Sequence, residues 1–152
     1  MGAVYAFTMH DDSVLNRIIT ETIIIPKICK IQTNEIHKWR SLWDTGATRS
    51  SISKRVVDSL QLIPIGYGGI ITAGGEVQIN AYLIDMVLPN SVVIQNIVVT
   101  CPKIDTDIDV IIGMDVMKHG DLSLSFANGQ TTFSFAVPSV EPIDFVKKYN
   151  AK

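Results

Sequence analysis

The chain contains 152 residues, of which 47% are hydrophobic and 18% are charged, and its formal net charge is −2. This composition excludes a disordered tail and a collagen-like fibre, and the length suits one domain whose core needs neither disulfides nor a metal. The near-neutral charge argues against a nucleic-acid partner, and no apolar run approaches the roughly 20 residues that span a bilayer. We therefore expect no nucleic-acid and no membrane partner.

The cysteines and the first ten residues indicate the cellular compartment of the protein. The chain has two cysteines, Cys29 and Cys101, which are typical of reduced thiols in a domain of this size. The first ten residues lack the basic and long apolar regions of a secretory signal. The sequence therefore predicts a cytoplasmic protein.

Short Ile- and Val-rich segments separated by turn signals predict an all-β domain. In the first half we expect an extended segment over residues 18–31 and a strand over residues 36–43. A short helix is predicted over residues 52–60, with Ser53 as its N-cap and Pro64 beyond its end.

The second half continues with strands. Residues 66–69 (Gly-Tyr-Gly-Gly) are predicted to form a flexible connector, and residues 70–88 two strands around a Gly-rich turn. Residues 92–101 and 110–112 predict two further strands, the second of them fully apolar.

The last third contains a hairpin between two helices. Asp115 is predicted to cap a helix over residues 116–119. Residues 122–126 alternate apolar and polar side chains before Asn128-Gly129, which predicts a hairpin with a type I′ turn. A terminal helix is predicted over residues 141–150.

One tripeptide, Asp44-Thr45-Gly46, is a candidate catalytic motif. By itself it is a good turn sequence, because Asp bonds its own backbone and Gly tolerates positive φ, so an isolated copy would be structural. Here it follows an apolar strand and precedes Ala47 and several hydroxyl residues. An apolar-apolar-Gly-Met-Asp sequence follows about seventy positions later.

These two motifs, LWDTGATRSSIS (residues 42–53) and VIIGMD (residues 110–115), resemble those of the retropepsin-like aspartic proteases. The resemblance extends over roughly residues 23–135. It implies an all-β, retropepsin-like closed β-barrel with one or two short helices. We place that domain at residues 18–137, between an N-terminal extension (1–17) and a C-terminal extension (138–152). Trp43 departs from the family, which usually has Leu, Val or Phe there.

The chemistry of that family explains why a single Asp-Thr-Gly matters. Hydrolysis without a covalent intermediate needs a base for water and an acid for the carbonyl oxygen, and two carboxylates about 3 Å apart supply both by sharing one proton. This chain has one Asp-Thr-Gly, so we predict a C2 homodimer with one catalytic Asp44 per subunit. By the resemblance, Thr45 bonds across the dyad and Gly46 admits the substrate. No cofactor and no metal are expected.

The substrate is expected to be an extended polypeptide that adds as a strand within the cleft. A Gly-rich hairpin tip formed by Thr72, Ala73, Gly74 and Gly75 is the candidate flap. The other expected substrate-binding residues are Leu42, Ala47, Ile111 and Gly113. An ordinary hairpin remains open as an alternative for the tip, and plain core packing remains open for Leu42 and Ile111.

The sequence thus predicts an aspartic endopeptidase. The alternative is a catalytically inactive dimeric module of the same fold that binds peptides or proteins.

Overall fold

The computed structural model describes residues 2–104 and 107–151, and most of its regular structure is β-strand. Its strands are β1 (Tyr5–Asp11), β2 (Ile19–Pro26), β3 (Lys38–Trp43), β4 (Ser51–Ile52), β5 (Gly66–Thr72), β6 (Gly75–Val87), β7 (Val93–Thr100), β8 (Val110–Ile112), β9 (Asp121–Ser125) and β10 (Thr131–Val137). Its α-helices are α1 (Lys54–Ser59), α2 (Met114–Met117) and α3 (Phe145–Asn150). The predicted all-β class is confirmed.

The larger sheet brings the two sequence motifs together. Its strand order is β2-β3-β8-β4-β7-β6-β5, and β2 also pairs with β6. Strands β3 and β8 run parallel, with Leu42 opposite Ile111 and Trp43 opposite Ile112. Since the carboxyl ends of parallel neighbours meet at one edge, the Asp44 loop and the turn at Gly113 emerge side by side.

A smaller antiparallel sheet, in the order β1-β10-β9, covers the end of β3, where the Asp-Thr-Gly motif begins. Its inner face carries Phe7, Phe133 and Phe135, and the Trp43 ring lies 5.0 and 5.1 Å from the rings of the last two. The Trp43 indole N–H donates to Thr20 Oγ1 at 2.9 Å. Aromatic packing against this sheet therefore accommodates the unusual Trp43.

Strand β1 lies in the segment that we assigned to an N-terminal extension. It pairs with β10 from Tyr5 opposite Val137 to Asp11 opposite Thr131. Its half-buried Phe7 and Met9 pack against the core. The domain boundaries at residues 17 and 137 stay predictions.

Helix α1 is fixed at its start by a side chain and at its side by a buried carboxylate. Ser53 accepts a hydrogen bond from the Val56 N–H at 3.3 Å, which confirms the predicted N-cap. Asp109, which is 4% exposed, accepts hydrogen bonds from the Arg55 guanidinium and from the Arg40 N–H. Asp109 thus connects α1, β3 and the start of β8.

Two local predictions are wrong. Residues 66–69 are not a connector but the first half of β5, with Gly66 opposite Ala81. The long strand β6 offers a continuous ladder, and that pairing overrides the flexibility of the glycines. Helix α2 begins at Met114 with Gly113 as its N-cap, so Asp115 lies in the first turn and does not cap the helix.

The last hairpin and helix largely agree with prediction. Asn128 and Gly129 have φ values of 59° and 72°, and the Gln130 N–H donates to the Ala127 carbonyl at 3.2 Å, as expected for a type I′ turn. Helix α3 begins later than predicted, because Asp144 accepts the Lys147 N–H at 3.0 Å and forms the N-cap there.

Two further observations concern thiols and membrane spans. Cys29 and Cys101 are half-buried free thiols, and burial raises the pKa of Cys101. Within residues 2–104 and 107–151, the helices are too short and too polar for a transmembrane span.

Candidate active site

The Asp44 loop is fixed by backbone hydrogen bonds. The Asp44 N–H donates to the Ile112 carbonyl at 3.0 Å, and the Ala47 N–H donates to the Asp44 carbonyl at 3.1 Å. The Gly46 N–H donates to Asp44 Oδ1 at 2.9 Å. These bonds place the half-buried Asp44 carboxylate at the end of β3 and orient one of its oxygens.

A second layer of hydrogen bonds holds this loop against α2. The Met114 N–H donates to the Ala47 carbonyl at 2.8 Å. Ser50 is fully buried, donates its hydroxyl to Asp115 Oδ1 at 2.7 Å, and accepts the Gly113 N–H at 3.0 Å. The Ser50 N–H lies 3.0 Å from both Asp115 oxygens. The two motifs are therefore joined through one serine and one aspartate.

Gly113 is required by the close approach of these loops. A Cβ at this position would lie 2.7 Å from the Arg49 carbonyl carbon and 2.8 Å from the Ala47 carbonyl oxygen. Both are backbone atoms, so neither moves without moving the loop.

The Asp44 loop borders a cleft of about 350 Å³. The cleft is lined by Asn16, Arg17, Ile18, Leu42, Trp43, Asp44, Thr45, Met117, Leu122, Leu124 and Phe133. Most of these side chains are apolar, while Asp44 supplies a carboxylate and Thr45 a hydroxyl. The smaller sheet thus forms one wall of the cleft, and the end of β3 forms another.

An ion pair lies at the rim of the cleft. Arg17 Nη2 donates to Asp107 Oδ2 at 2.8 Å, and this hydrogen bond holds the pKa of Asp107 below its ordinary value. Arg40 Nε donates to the Asp107 carbonyl at 2.9 Å. Because the Asp107 charge persists into mildly acidic solution, the ion pair is retained there.

The predicted flap is the hairpin of β5 and β6. Thr72 lies opposite Gly75, with Ala73 and Gly74 in the turn, and all four are exposed. Thr72 Oγ1 accepts the Gly74 N–H at 3.2 Å and donates to the Gly75 carbonyl at 2.9 Å. Gly75 has a φ of 111°, which only glycine adopts easily. The tip is therefore an ordered, two-residue turn.

The structure brings some of the predicted site residues together. Leu42, Asp44 and Thr45 line the cleft, while Gly46 and Ala47 complete the same loop. Half-buried Ile111 lies beside Leu42 in the sheet. Gly113 is buried beneath Ala47, and the tip, residues 72–75, is outside the cleft lining. The contacts of all these residues with a substrate stay predictions.

Sequence reasoning missed several of the residues around Asp44. Asn16, Arg17 and Ile18 lie just before β2, where the sequence offered no link to the Asp-Thr-Gly motif. The Ser50–Asp115 pair also went unrecognised. The available signal was an acidic residue two positions after Gly113, which we assigned to a helix cap.

The chain is similar to known proteins in sequence and in fold. Residues 29–119, more than half of the chain, match the family model described as gag-polyprotein putative aspartyl protease. Among solved structures, the chain is similar to a retropepsin-like aspartic protease from Rickettsia conorii, with a TM-score of 0.57 and 15% identity over 89% of this chain and 96% of that one.

Two further structures are similar. EIAV protease in complex with an inhibitor has a TM-score of 0.48 and 20% identity, over 67% of this chain and 86% of that one. The retroviral protease-like domain of Ddi1 from Leishmania major has a TM-score of 0.44 and 15% identity, over 79% and 95%. No curated protein matches the chain. On the family match and the fold, the chain belongs to the retropepsin-like aspartic proteases of the gag-polyprotein type.

Proposed function

We propose that the protein is an aspartic endopeptidase that acts as a homodimer, with Asp44 of each subunit in one shared centre. One observation carries the proposal: the carboxylate of a single Asp-Thr-Gly loop, fixed by backbone bonds, borders an apolar cleft. A lone carboxylate provides half of the acid–base pair that the reaction needs. A two-fold axis beside Asp44 would supply the second half.

The proposed mechanism uses one shared proton. The ionised carboxylate removes a proton from water, and the water oxygen attacks the carbonyl carbon of the peptide bond. The protonated carboxyl donates its proton to the carbonyl oxygen, giving a tetrahedral intermediate. Collapse of this intermediate breaks the C–N bond. The amine leaves with a proton from the pair, and one hydroxyl of the intermediate returns a proton to the pair as the carboxylic acid forms. Thr45 would hold the two loops together across the dyad, and Gly46 would let the substrate backbone approach.

The proposed substrate is an extended polypeptide with apolar side chains at its centre. Leu42 and Ile111 would contact those side chains, and Ala47 and Gly113 would border them. The hairpin tip at residues 72–75 would close over the peptide and exclude water, a common role for such loops. No cofactor takes part in this mechanism.

The test of this proposal is Asp44→Asn, measured with a diverse peptide library and by sedimentation. Asn retains the acceptor for the Gly46 N–H, so the loop and the dimer should survive. The cleavage rate should fall by at least about 10³-fold, since the variant lacks the shared proton. Asp12→Asn, which removes one exposed carboxylate elsewhere, is the matched control and should cleave normally.

Two outcomes would count against the proposal. Undiminished cleavage by Asp44→Asn would remove Asp44 from the mechanism. A dimeric parent protein that cleaves no peptide of the library would favour the inactive peptide-binding module instead.

A further inference from the structure

A second concave site, of about 360 Å³, shares no lining residue with the cleft beside Asp44. It lies where three parts of the chain meet. The segment after the Asp44 loop supplies Arg49, the residues just after α2 supply Lys118 and His119, and residues 94–98 of β7 form the facing wall. We call this site the basic pocket.

The β7 wall of the basic pocket is a bulge with a fixed shape. Gln95 and Asn96 together face a single residue of β6, Asp85, where the register of the two strands shifts. Asn96 has a φ of 57°, and its N–H donates to Asp85 Oδ1 at 2.8 Å. The other oxygen of Asp85, which is only 7% exposed, accepts Lys27 Nζ at 3.0 Å. A bulge held in this way gives no flat strand edge on which a polypeptide could add.

The cationic side chains of the basic pocket have no anionic partner in the described part of the chain. The other three arginines each form an ion pair with an aspartate. Arg49, Lys118 and His119 are exposed, and among residues 2–104 and 107–151 no carboxylate lies within ion-pair distance of any of them. Three groups that bind anions therefore converge on one concavity without an acceptor.

Asp115 also lines the basic pocket, but its oxygens are already used. They accept the N–H and the hydroxyl of Ser50, and the Val116 N–H donates to Asp115 Oδ1 at 3.0 Å. Asp115 lowers the positive charge of the pocket without cancelling that of both Arg49 and Lys118. The pocket thus stays positive in a protein whose formal net charge is −2.

We propose that the basic pocket binds a small polyvalent anion, a compact molecule with two or more phosphate or carboxylate groups. The planar Arg49 guanidinium matches either group with two parallel donors, and the Lys118 ammonium adds a point charge. The amides of Gln95 and Asn96 supply further donors. The volume lies in the range of roughly 300–1,000 Å³ that small-ligand sites occupy.

Such an anion would join two segments that support Asp44. Arg49 immediately precedes Ser50, and Lys118 immediately follows α2. The Ser50–Asp115 hydrogen bonds already connect these segments, and the anion would connect them a second time. Binding to the folded chain stabilises it by mass action. Because this binding uses neither the Asp44 carboxylate nor a second subunit, the inference goes beyond the proposed function.

The test is titration calorimetry at one fixed salt concentration, with tripolyphosphate and citrate as the probes. The parent should bind at least one of them saturably, at one site per chain. In Arg49→Gln/Lys118→Gln the replaced side chains are exposed, so the variant should fold, and its dissociation constant should rise at least about tenfold. Tighter binding of tripolyphosphate assigns the ligand to the phosphates, and tighter binding of citrate assigns it to the carboxylates.

The matched control is Lys30→Gln/Lys103→Gln, which removes the same net charge from two exposed lysines outside the basic pocket. It should bind the probe as the parent does. Asp44→Asn should also bind normally, whether or not the parent cleaves peptides, so this result is separable from that of the proposed function. No saturable binding of either probe, parent-like binding by Arg49→Gln/Lys118→Gln, or equal weakening in the control would each overturn the inference.

Discussion

The position of Asp44 depends on two side chains outside its own Asp-Thr-Gly turn, those of Ser50 and Asp115. Neither Ser50 nor Asp115 lines the cleft beside Asp44, and the two residues are far apart in sequence. Their hydrogen bonds nevertheless hold the Asp44 loop against α2. Ser50 is fully buried, and buried donors that lose their acceptor cost free energy. Asp115 is thus a positioning residue in the proposed mechanism.

Asp115→Ala tests this role. The variant leaves the N–H and hydroxyl of Ser50 without their acceptor, so the free energy of unfolding should fall by about 1–3 kcal/mol. The peptidase kcat should fall more than KM changes, because the loop carrying Asp44 loosens. Urea denaturation and steady-state kinetics measure the two effects. Asp12→Ala is the control, and equal behaviour of the two variants would refute the role.

Gly113→Ala tests the close approach of the two loops. The added methyl group would overlap backbone atoms of Ala47 and Arg49, so we expect a loss of about 1–3 kcal/mol in stability. Gly66→Ala is the matched control, since a Cβ there has no other atom within 4 Å. Thermal unfolding of both variants provides the comparison, and an equally stable Gly113→Ala protein would contradict the structure.

At the scale of single residues, the sequence predicts the centre of the site better than it predicts the residues that hold that centre in place. Asp44, Thr45 and Gly46 are recognisable because their chemistry lies in three consecutive residues. The Ser50–Asp115 pair is 65 positions apart, and it comes together because β8 pairs with both β3 and β4. A local capping rule therefore assigned Asp115 the wrong partner.

Among the elements, the hairpin of β5 and β6 depends most on one backbone conformation. Gly75 has a φ of 111°, whereas Gly74 in the same turn has no positive φ and has space for a Cβ. Replacement of Gly75 should therefore distort the turn, and replacement of Gly74 should not.

Gly75→Ala should lower kcat/KM through the distorted flap, with a stability cost of about 1 kcal/mol. Gly74→Ala should remain close to the parent in both quantities. Peptide cleavage kinetics would separate the two. A Gly75→Ala enzyme with unchanged kcat/KM would show that the hairpin tip takes no part in closing over the substrate.

Element predictions failed where strand pairing, rather than the local sequence pattern, decides the structure. Strand β1 has the alternation Tyr5, Phe7, Met9, but its partner residues in β10 lie at least 120 positions along the chain. The glycines of residues 66–69 look flexible locally, yet they form a ladder with β6. Strands β3 and β8 and helix α1 were predictable because hydrophobic pattern and capping residues mark them locally.

At the scale of the whole molecule, the C-terminal extension (residues 138–152, here the tail) is anchored by a titratable group, the carboxylate of Asp121. Hydrogen bonds from Ser139 and then from the Val140 N–H lower the pKa of Asp121. Because the pKa of Asp121 is lowered in the folded state, its hydrogen bonds stabilise the anchored tail at pH values above the ordinary aspartate pKa of about 3.9. This stabilisation is lost as the pH falls below that value. The tail should therefore stay anchored at mildly acidic pH.

Amide protection of Val140 and Glu141, followed by NMR from neutral pH downward, measures this anchoring. We expect constant protection to about pH 5 and a loss below about pH 4. Asp121→Asn should show weaker protection and no such step. Loss of protection already near neutral pH in the parent would contradict the anchoring by Asp121.

The proposed mechanism also makes the cleavage rate depend on pH, through the shared proton. Because one of the two central carboxyl groups must stay protonated, the cleavage rate should fall as the solution becomes alkaline. A rate profile with one peptide substrate measures this dependence, and a rate that climbs steadily into the alkaline range would be incompatible with the mechanism.

The most direct test is the separation of the two Asp44 carboxyl groups in a crystal structure of the assembled protein. We predict a two-fold symmetric dimer in which the nearest oxygens of these groups lie about 3 Å apart. A protein that cleaves peptides as a strict monomer, or a dimer whose Asp44 side chains lie on opposite outer surfaces, would contradict the account.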